Sequence, residues 1–354
     1  MAEEADMVAA GIDTHKNFHV MAITDALGAK VGELSFPATA EGYALAARRL
    51  GDPARVLAVG VEGTGSYGAG VCRALRGAGY PVAEVCRPKR APLRPGRHKS
   101  DPEDALRAAR DALRGLREGR PAEPKSKDGF AEECRMLLVA HDAEEKAATA
   151  LMNAMCAIAV AAPEPVRERL AGLKGARLAA ACRRARRAEG AERAAWDALG
   201  SLARSWAEAK ARSREAAARM GEIMEEGAPA LIATFGVGPV SAAALAAAAG
   251  DNPQRLRGEG AFAALCGASP VRASTGGSGR HRLNRGGDRR ANSALHTIAV
   301  VRMRYDGPTR DYVARKVAEG KTKREAIRCL KRYIAREIYR VLMDPVNATP
   351  RQRR

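Results

Sequence analysis

Residues 56–61, VLAVGV, are apolar almost throughout and rich in β-branched side chains. Such a run is expected of a buried strand, not of one half exposed to water. Met7 to Gly11 is a second apolar run, closed by Asp13. Phe18 to Thr24 and Lys30 to Phe36 are strand-like, with the turn Asp25–Gly28 between them. Glu41 to Leu50 and Tyr67 to Gly77 carry helical periodicity, and Pro81 to Cys86 is a further strand. The order strand-strand-strand-helix-strand-helix-strand predicts an α/β sheet with mixed strand directions.

Two carboxylates sit at strand ends, Asp13 and Glu62. Each is followed by small or flexible residues, Thr14 in one case and Gly63-Thr64-Gly65 in the other. Further on, HKSDPEDALRAARDAL offers Ser100 as an N-cap and Pro102 for the first helical turn. Asp101 and Asp104 lie three apart, which places both on one helix face. Alone, a pair like this is an ordinary helix-start acid favouring the macrodipole, and Glu62 alone is a polar strand end. Four carboxylates converging on one sheet edge are costly unless cations neutralise them. Hard oxygen ligands suit Mg²⁺ or Mn²⁺, and two such ions can clamp a phosphodiester for in-line displacement.

The chain carries 60 Lys and Arg against 41 Asp and Glu, a net charge of +19. That balance points to a polyanion partner, nucleic acid before an anionic membrane surface. No apolar run approaches a spanning helix. The start, MAEEADMVAAGID, is acidic and lacks the basic region of a signal peptide. Seven scattered cysteines, odd in number and never in a CxxC pair, read as reduced thiols of a cytoplasmic protein. The six histidines show no metal-ligand spacing.

The stretch Ala273 to His296, ASTGGSGRHRLNRGGDRRANSALH, combines two hydroxyls with five arginines. Ser274 and Thr275 stand on a glycine-rich segment, and Arg280, Arg282, Arg285, Arg289 and Arg290 follow. Guanidinium pairs with phosphate oxygens in a bidentate way, so the pattern suits gripping or attacking a phosphate. The bland reading is a basic loop that binds nucleic acid and does no chemistry. Before it, PALIATFGVGPVSAAALAAAAG (Pro229 to Gly250) reads as helix, GVG turn, helix. Gly236 and Gly238 would open the turn's N–H groups to one phosphate, as in a helix-hairpin-helix unit; a buried helical hairpin fits equally well.

Four segments together resemble a known family: GIDTHKNFHVMAI, VGVEGTGSYG, RHKSDPEDALRAA and ASTGGSGRHRLNRGGDRRANSALHTIAV. They are similar to the DEDD transposases of bacterial insertion sequences of the insertion sequence 110 type, and to the related Piv-type DNA invertases. The resemblance implies a RuvC-like, ribonuclease H-like N-terminal domain whose tetrad falls on Asp13, Glu62, Asp101 and Asp104. It also implies a C-terminal domain with a serine nucleophile, and an RNA from the element's own non-coding end that brings donor and target DNA together. The family's hydroxyl usually stands immediately before the glycine. Here that position is Thr275, with Ser274 one residue earlier. The less hindered primary hydroxyl favours Ser274; register favours Thr275.

The expected architecture is α/β plus all-α. Residues 1–115 form the RuvC-like catalytic domain and 116–129 a linker. Residues 130–226 form a helical coiled-coil arm, with helices over Ala131–Ala161 and Leu170–Met224. Alanine seams bury little area per residue, so the arm is expected to order fully only in an assembly. Residues 227–343 form the C-terminal domain with the hydroxyl loop, and 344–354 a disordered tail. In the last helix Ile327, Leu330, Ile334, Ile338 and Leu342 share an apolar stripe, with Arg328, Lys331, Arg332, Arg336 and Arg340 off it. The expected function is a transposase or recombinase in which two Mg²⁺ or Mn²⁺ ions and a Ser or Thr hydroxyl cut and rejoin DNA. Its partners would be element ends, target DNA and a guide RNA, and its form a homodimer or tetramer away from membranes. The rivals are a metal-dependent nuclease or Holliday-junction resolvase, and a decayed transposase that only binds.

Overall fold

The computed structural model describes residues 6–86, 100–184, 188–272, 281–282, 284 and 286–344. The chain divides into two compact units, Met1–Ser126 and Lys127–Arg354.

The first unit is built from β1 (Val8–Thr14), β2 (Phe18–Asp25), β3 (Lys30–Pro37), α1 (Ala40–Leu50), β4 (Val56–Glu62), α2 (Ala69–Gly77), β5 (Val82–Val85) and α3 (Asp101–Arg117). The sheet order is β3-β2-β1-β4-β5. β1 runs antiparallel to β2 and parallel to β4; β4 is parallel to β5. β1 and β4 are buried nearly end to end, as their apolar sequences require, whereas the edge strand β3 is largely exposed. The expected mixed α/β sheet is thus what forms.

The pleat divides these strands' side chains between two layers. Ile12, Val59 and Val61 point to one face and pack with Leu50, Val71 and Leu75 of α1 and α2. Ala58 points to the other face, with Ala108 and Ala112 of α3. Gly11 and Gly60 are register partners on this second face. A Cβ on Gly11 would lie 2.1 Å from the Ala105 carbonyl oxygen, and one on Gly60 would lie 2.3 Å from that of Ala108. Two glycines and an alanine-lined helix therefore let α3 sit with its backbone directly on the sheet. Ser100 precedes α3, but its side chain makes no capping bond. Residues 118–126 are more than a tether: Glu84 N–H donates to the Ala122 carbonyl at 2.6 Å, and Arg76 pairs with Glu123 at 3.3 Å.

The second unit contains α4 (Phe130–Ala161), α5 (Glu164–Leu170), α6 (Gly175–Cys182), α7 (Gly190–Gly227), α8 (Pro229–Ile232), α9 (Pro239–Ala249), α10 (Glu259–Leu265), β6 (Val271–Arg272), β7 (His281–Arg282), α11 (Arg289–Tyr305), α12 (Gly307–Ala318) and α13 (Lys323–Leu342). α4 and α7 run antiparallel. Arg212 donates to Glu144 at 2.8 Å and Lys210 to Glu145 at 2.6 Å, midway along the pair. The expected continuous helix over Leu170–Met224 is broken. Gly172, Gly175 and Gly190 take positive φ values of 72°, 55° and 54°, so the chain turns through two short helices before α7. The seam is also richer than alanine. Met155, Leu170, Leu178, Trp196 and Leu199 build a separate core at the far end. At the near end Leu138, Met220 and Met224 join Leu245, Phe262, Leu295 and Ile334 in the main core.

α9 is nearly all buried, so the segment expected as a helix-hairpin-helix puts its second helix inside the core. Its first helix, α8, has four residues. In α13 Leu330, Ile334, Ile338 and Leu342 of the predicted apolar stripe are buried and Ile327 is half-buried, but Lys331, expected off the stripe, is buried too at 7% exposure. No helix among the described residues is long and apolar enough to cross a membrane.

Candidate nuclease centre and C-terminal basic region

The strand parity that seats α3 also aims the carboxylates. Asp13 is two residues beyond Gly11, and Glu62 two beyond Gly60, so both face α3 at the C-terminal ends of neighbouring parallel strands. α3 runs back along these strands and brings Asp101 and Asp104 to the same edge. Asp13 and Glu62 are 8% and 4% exposed. The two strand ends are fastened by Thr14, whose hydroxyl donates to the Glu62 carbonyl at 3.0 Å. The turn after β4 is fastened in turn by Thr64, which donates to Glu84 of β5 at 2.8 Å.

The four carboxylates meet through two basic side chains that the sequence reading did not single out. His15 Nε2 lies 3.2 Å from Asp13 Oδ2 and 3.4 Å from Asp101 Oδ2. Arg107 ion-pairs with Glu62 and reaches Asp104 at 3.5 Å. Against the expectation of no metal-ligand spacing among the histidines, His15 joins Asp13 and Asp101 in a group whose donor atoms lie within 4.8 Å of one another, close enough for one cation to bridge. The signals were present. His15 follows the strand-end acid by two residues, and its ring stacks on Phe18 at 4.9 Å across the turn. Arg107 stands one helical turn beyond Asp104, on its face.

In the second unit, Ser274, Thr275, Arg280 and Arg285 lie outside the described residues. β6 and β7 flank 273–280 and pair antiparallel, Val271 with Arg282 and Arg272 with His281. Arg282 is thus placed in a strand. Below the pair the chain crosses itself: a Cβ on Gly287 would lie 2.2 Å from the Gly267 nitrogen. Asn292 donates from Nδ2 to the carbonyls of Cys266 and Gly267 at 2.8 and 3.1 Å. Arg289 is exposed at the start of α11, whose N-cap Asp288 accepts from Ala291 N–H at 3.0 Å. Arg290 donates to Asp142 of α4 at 2.6 Å, so it already has an anionic partner. Gly238 is exposed at the N-cap of α9. Gly236 packs near Arg302, which donates to the neighbouring Phe235 carbonyl at 2.9 Å.

Comparison with known proteins gives two matches that together span more than half of the chain. A model of DEDD transposases of the IS110 type, described as a transposase, matches residues 10–160, which include all four carboxylates and His15. A model described as the transposase IS116/IS110/IS902 family matches residues 228–314, which include the hydroxyl-arginine stretch. No curated protein matches the chain. The order and content of both halves agree, and the chain belongs to the IS110-type DEDD transposases, DNA-cleaving and recombining enzymes with a RuvC-like N-terminal domain.

Proposed function

We propose that this transposase cuts and rejoins DNA with two sets of groups acting on the same phosphodiester. One is the carboxylate edge of Asp13, Glu62, Asp101 and Asp104; the other is a hydroxyl of the C-terminal region, Ser274 or Thr275. The observation that carries the reading is the convergence at one sheet edge of two strand-end acids and two helix-start acids. The donor set fits a divalent ion of the Mg²⁺ or Mn²⁺ kind, because carboxylate oxygens dominate it and three donor atoms lie within 4.8 Å of one another. When bound there, one or two such ions would supply the positive charge that a phosphodiester needs in order to be displaced.

The chain's own groups do the rest. His15 links Asp13 and Asp101, and Arg107 links Glu62 and Asp104. The hydroxyl forms an oxygen–phosphorus bond while the strand's own oxygen leaves and takes up a proton. The covalent phosphoester keeps the bond energy, so a second strand's hydroxyl reverses the step and rejoins the DNA without an external energy source. Arg280, Arg282, Arg285 and Arg289 offset the charge that develops on phosphorus oxygens. Arg290 must leave Asp142 to contribute. The exposed turn at Gly238 offers backbone N–H groups to a further phosphate. Arginines on the arm, including exposed Arg183 and Arg184, suit a guide RNA copied from the element.

In this reading residues 1–115 are the catalytic domain, 130–226 the arm and 227–343 the domain carrying the hydroxyl. α4 has 32 residues and so extends about 48 Å at 1.5 Å per residue. An arm of that length suits a dimer or tetramer in which one chain's carboxylates serve another chain's hydroxyl. The test is to mix Asp13→Ala with Ser274→Ala on a plasmid carrying the element ends. Rejoined product recovered by the mixture, absent from either variant alone, is the expected result. A dead mixture of variants that still bind DNA would assign both groups to one chain. Cut DNA that is never rejoined, even by the unaltered protein, would replace this reading with the metal-dependent nuclease.

A further inference from the structure

Beneath the β6–β7 pair the second unit holds a cavity of about 790 Å³ whose lining the catalytic scheme leaves unexplained. That size falls within the roughly 300–1,000 Å³ of ligand pockets. One wall is Gly267 to Pro270 and Asn284, at the base of the two strands; the others come from α12, the turn after it and α13. Six cations line the cavity: Lys316, Lys321, Arg328, Lys331, Arg332 and Arg336. Four are ion-paired in place, with three carboxylates between them. Lys316 and Lys321 lie 2.7 and 3.8 Å from Glu319, Arg328 lies 3.7 Å from Glu325, and Arg336 lies 2.5 Å from Glu259. Lys331 and Arg332 have no carboxylate partner among the described residues.

Lys331 is the telling member. It is 7% exposed, and its ammonium donates to Asn292 Oδ1 at 2.6 Å. That uses one of three N–H bonds. Burial pushes Lys331 below the ordinary lysine value. A buried ammonium with no counter-charge is costly, and an arriving phosphate would remove that cost. Beside it Tyr333 is 60% exposed, with its ring held edge-on by Tyr312 at 5.4 Å between centroids. A phenol ring kept rigid at the mouth of a basic cavity is a stacking platform for a base.

We propose that this cavity binds one nucleotide of a single-stranded DNA segment, its phosphate on Lys331 and Arg332 and its base on Tyr333. The site thereby fixes the strand at the base of the β6–β7 pair, whose two strands flank residues 273–280 in sequence. The inference rests on the DNA-rejoining reading above and names the form of DNA that the C-terminal domain holds. Lys331 also bonds Asn292, which in turn holds Gly267, so its loss alone would not separate binding from folding. Arg332 and Tyr333 are exposed and make that separation.

The experiment is fluorescence anisotropy of a short labelled oligothymidine with the full chain in EDTA, so that no strand is cut. Arg332→Ala should weaken binding about tenfold and lower the salt dependence by about one counterion. Tyr333→Ala should weaken it about tenfold with the salt dependence unchanged, and Tyr333→Phe should bind as the unaltered protein does. Lys331→Met, with a melting temperature near that of the parent, should behave as Arg332→Ala. Unchanged affinity in both Arg332→Ala and Tyr333→Ala overturns the proposal. So does an oligouridine of equal length that binds more tightly and shows the same losses, since that would make the cavity an RNA site. Because the readout needs neither metal nor hydroxyl, a failure here leaves the cleavage reading untouched, and a failure of cleavage leaves this site standing.

Discussion

Replacing Asp13 with asparagine lowers DNA strand cleavage by about a thousandfold or more, the scale expected when an electrostatic contribution to the transition state is removed. The N-terminal unit nevertheless stays folded. Asp13 is 8% exposed at the end of a fully paired strand, and asparagine fills the same space. The change removes one negative charge from an edge where four carboxylates gather, so like-charge repulsion falls. Glu62→Gln and Asp104→Asn should act in the same direction. His15→Asn should be milder, roughly 10- to 100-fold, because His15 is the one uncharged donor in a set that carboxylates dominate, and its further part is to orient Asp13 and Asp101. The assay is nicking of a supercoiled plasmid in Mg²⁺ or Mn²⁺, with thermal melting of each variant alongside. Cleavage that survives in Asp13→Asn, or that proceeds undiminished in EDTA, contradicts the assignment.

Gly60→Ala should destabilise the N-terminal unit by about 3 kcal/mol, the upper range for forcing an added methyl into a packed interior. The reason is what the methyl meets. It would lie 2.3 Å from the Ala108 carbonyl oxygen and 3.0 Å from the Ala112 methyl, so helix backbone must move, not a side-chain tip. Gly11→Ala faces the same wall, at 2.1 Å from both the Ala105 carbonyl oxygen and the Ala109 nitrogen. Lifting α3 also withdraws Asp101 and Asp104 from the strand ends. A displacement of about 1 Å can cost about a hundredfold in rate, so activity should fall before the unit unfolds. Gly65→Ala is the control, since nothing lies within 4 Å of its added carbon. Urea unfolding of the three variants checks this. A Gly60→Ala midpoint equal to that of Gly65→Ala would show that the helix is not seated on the sheet as described.

Much of the first unit was legible in the sequence because its strands are written in the simplest code. β1 and β4 are short and apolar, and each carries an acid at or next to its last residue. The same two-residue step that makes Gly11 and Gly60 face α3 makes Asp13 and Glu62 face it too, a parity that the sequence itself carries. His15 and Arg107 escaped because their placement depends on a turn and on how far a long side chain reaches, neither of which periodicity records. The two long helices expected of the arm form as α4 and α7, but the second begins at Gly190 and not at Leu170. Alanine and arginine carry high helix propensity on both sides of Gly172, Gly175 and Gly190, but a positive φ at each interrupts the helix: Gly172 follows α5, and Gly175 and Gly190 open α6 and α7. Helical spacing puts Lys331 off the apolar stripe of α13 and says nothing of its burial. Its ammonium finds Asn292 of α11, a contact between helices far apart in sequence that no local pattern could show.

The central claim is that a hydroxyl of the C-terminal region becomes covalently joined to DNA while the carboxylate edge is intact. The direct measurement is mass spectrometry of the protein after denaturing capture on a plasmid carrying the element ends. A phosphodiester-linked nucleotide should be found on the peptide that contains Ser274 and Thr275. It should require divalent metal and Asp13, and fragmentation should assign it to one hydroxyl, whose replacement by alanine abolishes the adduct. Cut DNA with free ends and no nucleotide on that peptide would contradict the account and leave a nuclease in which water attacks and the C-terminal region only holds the strand.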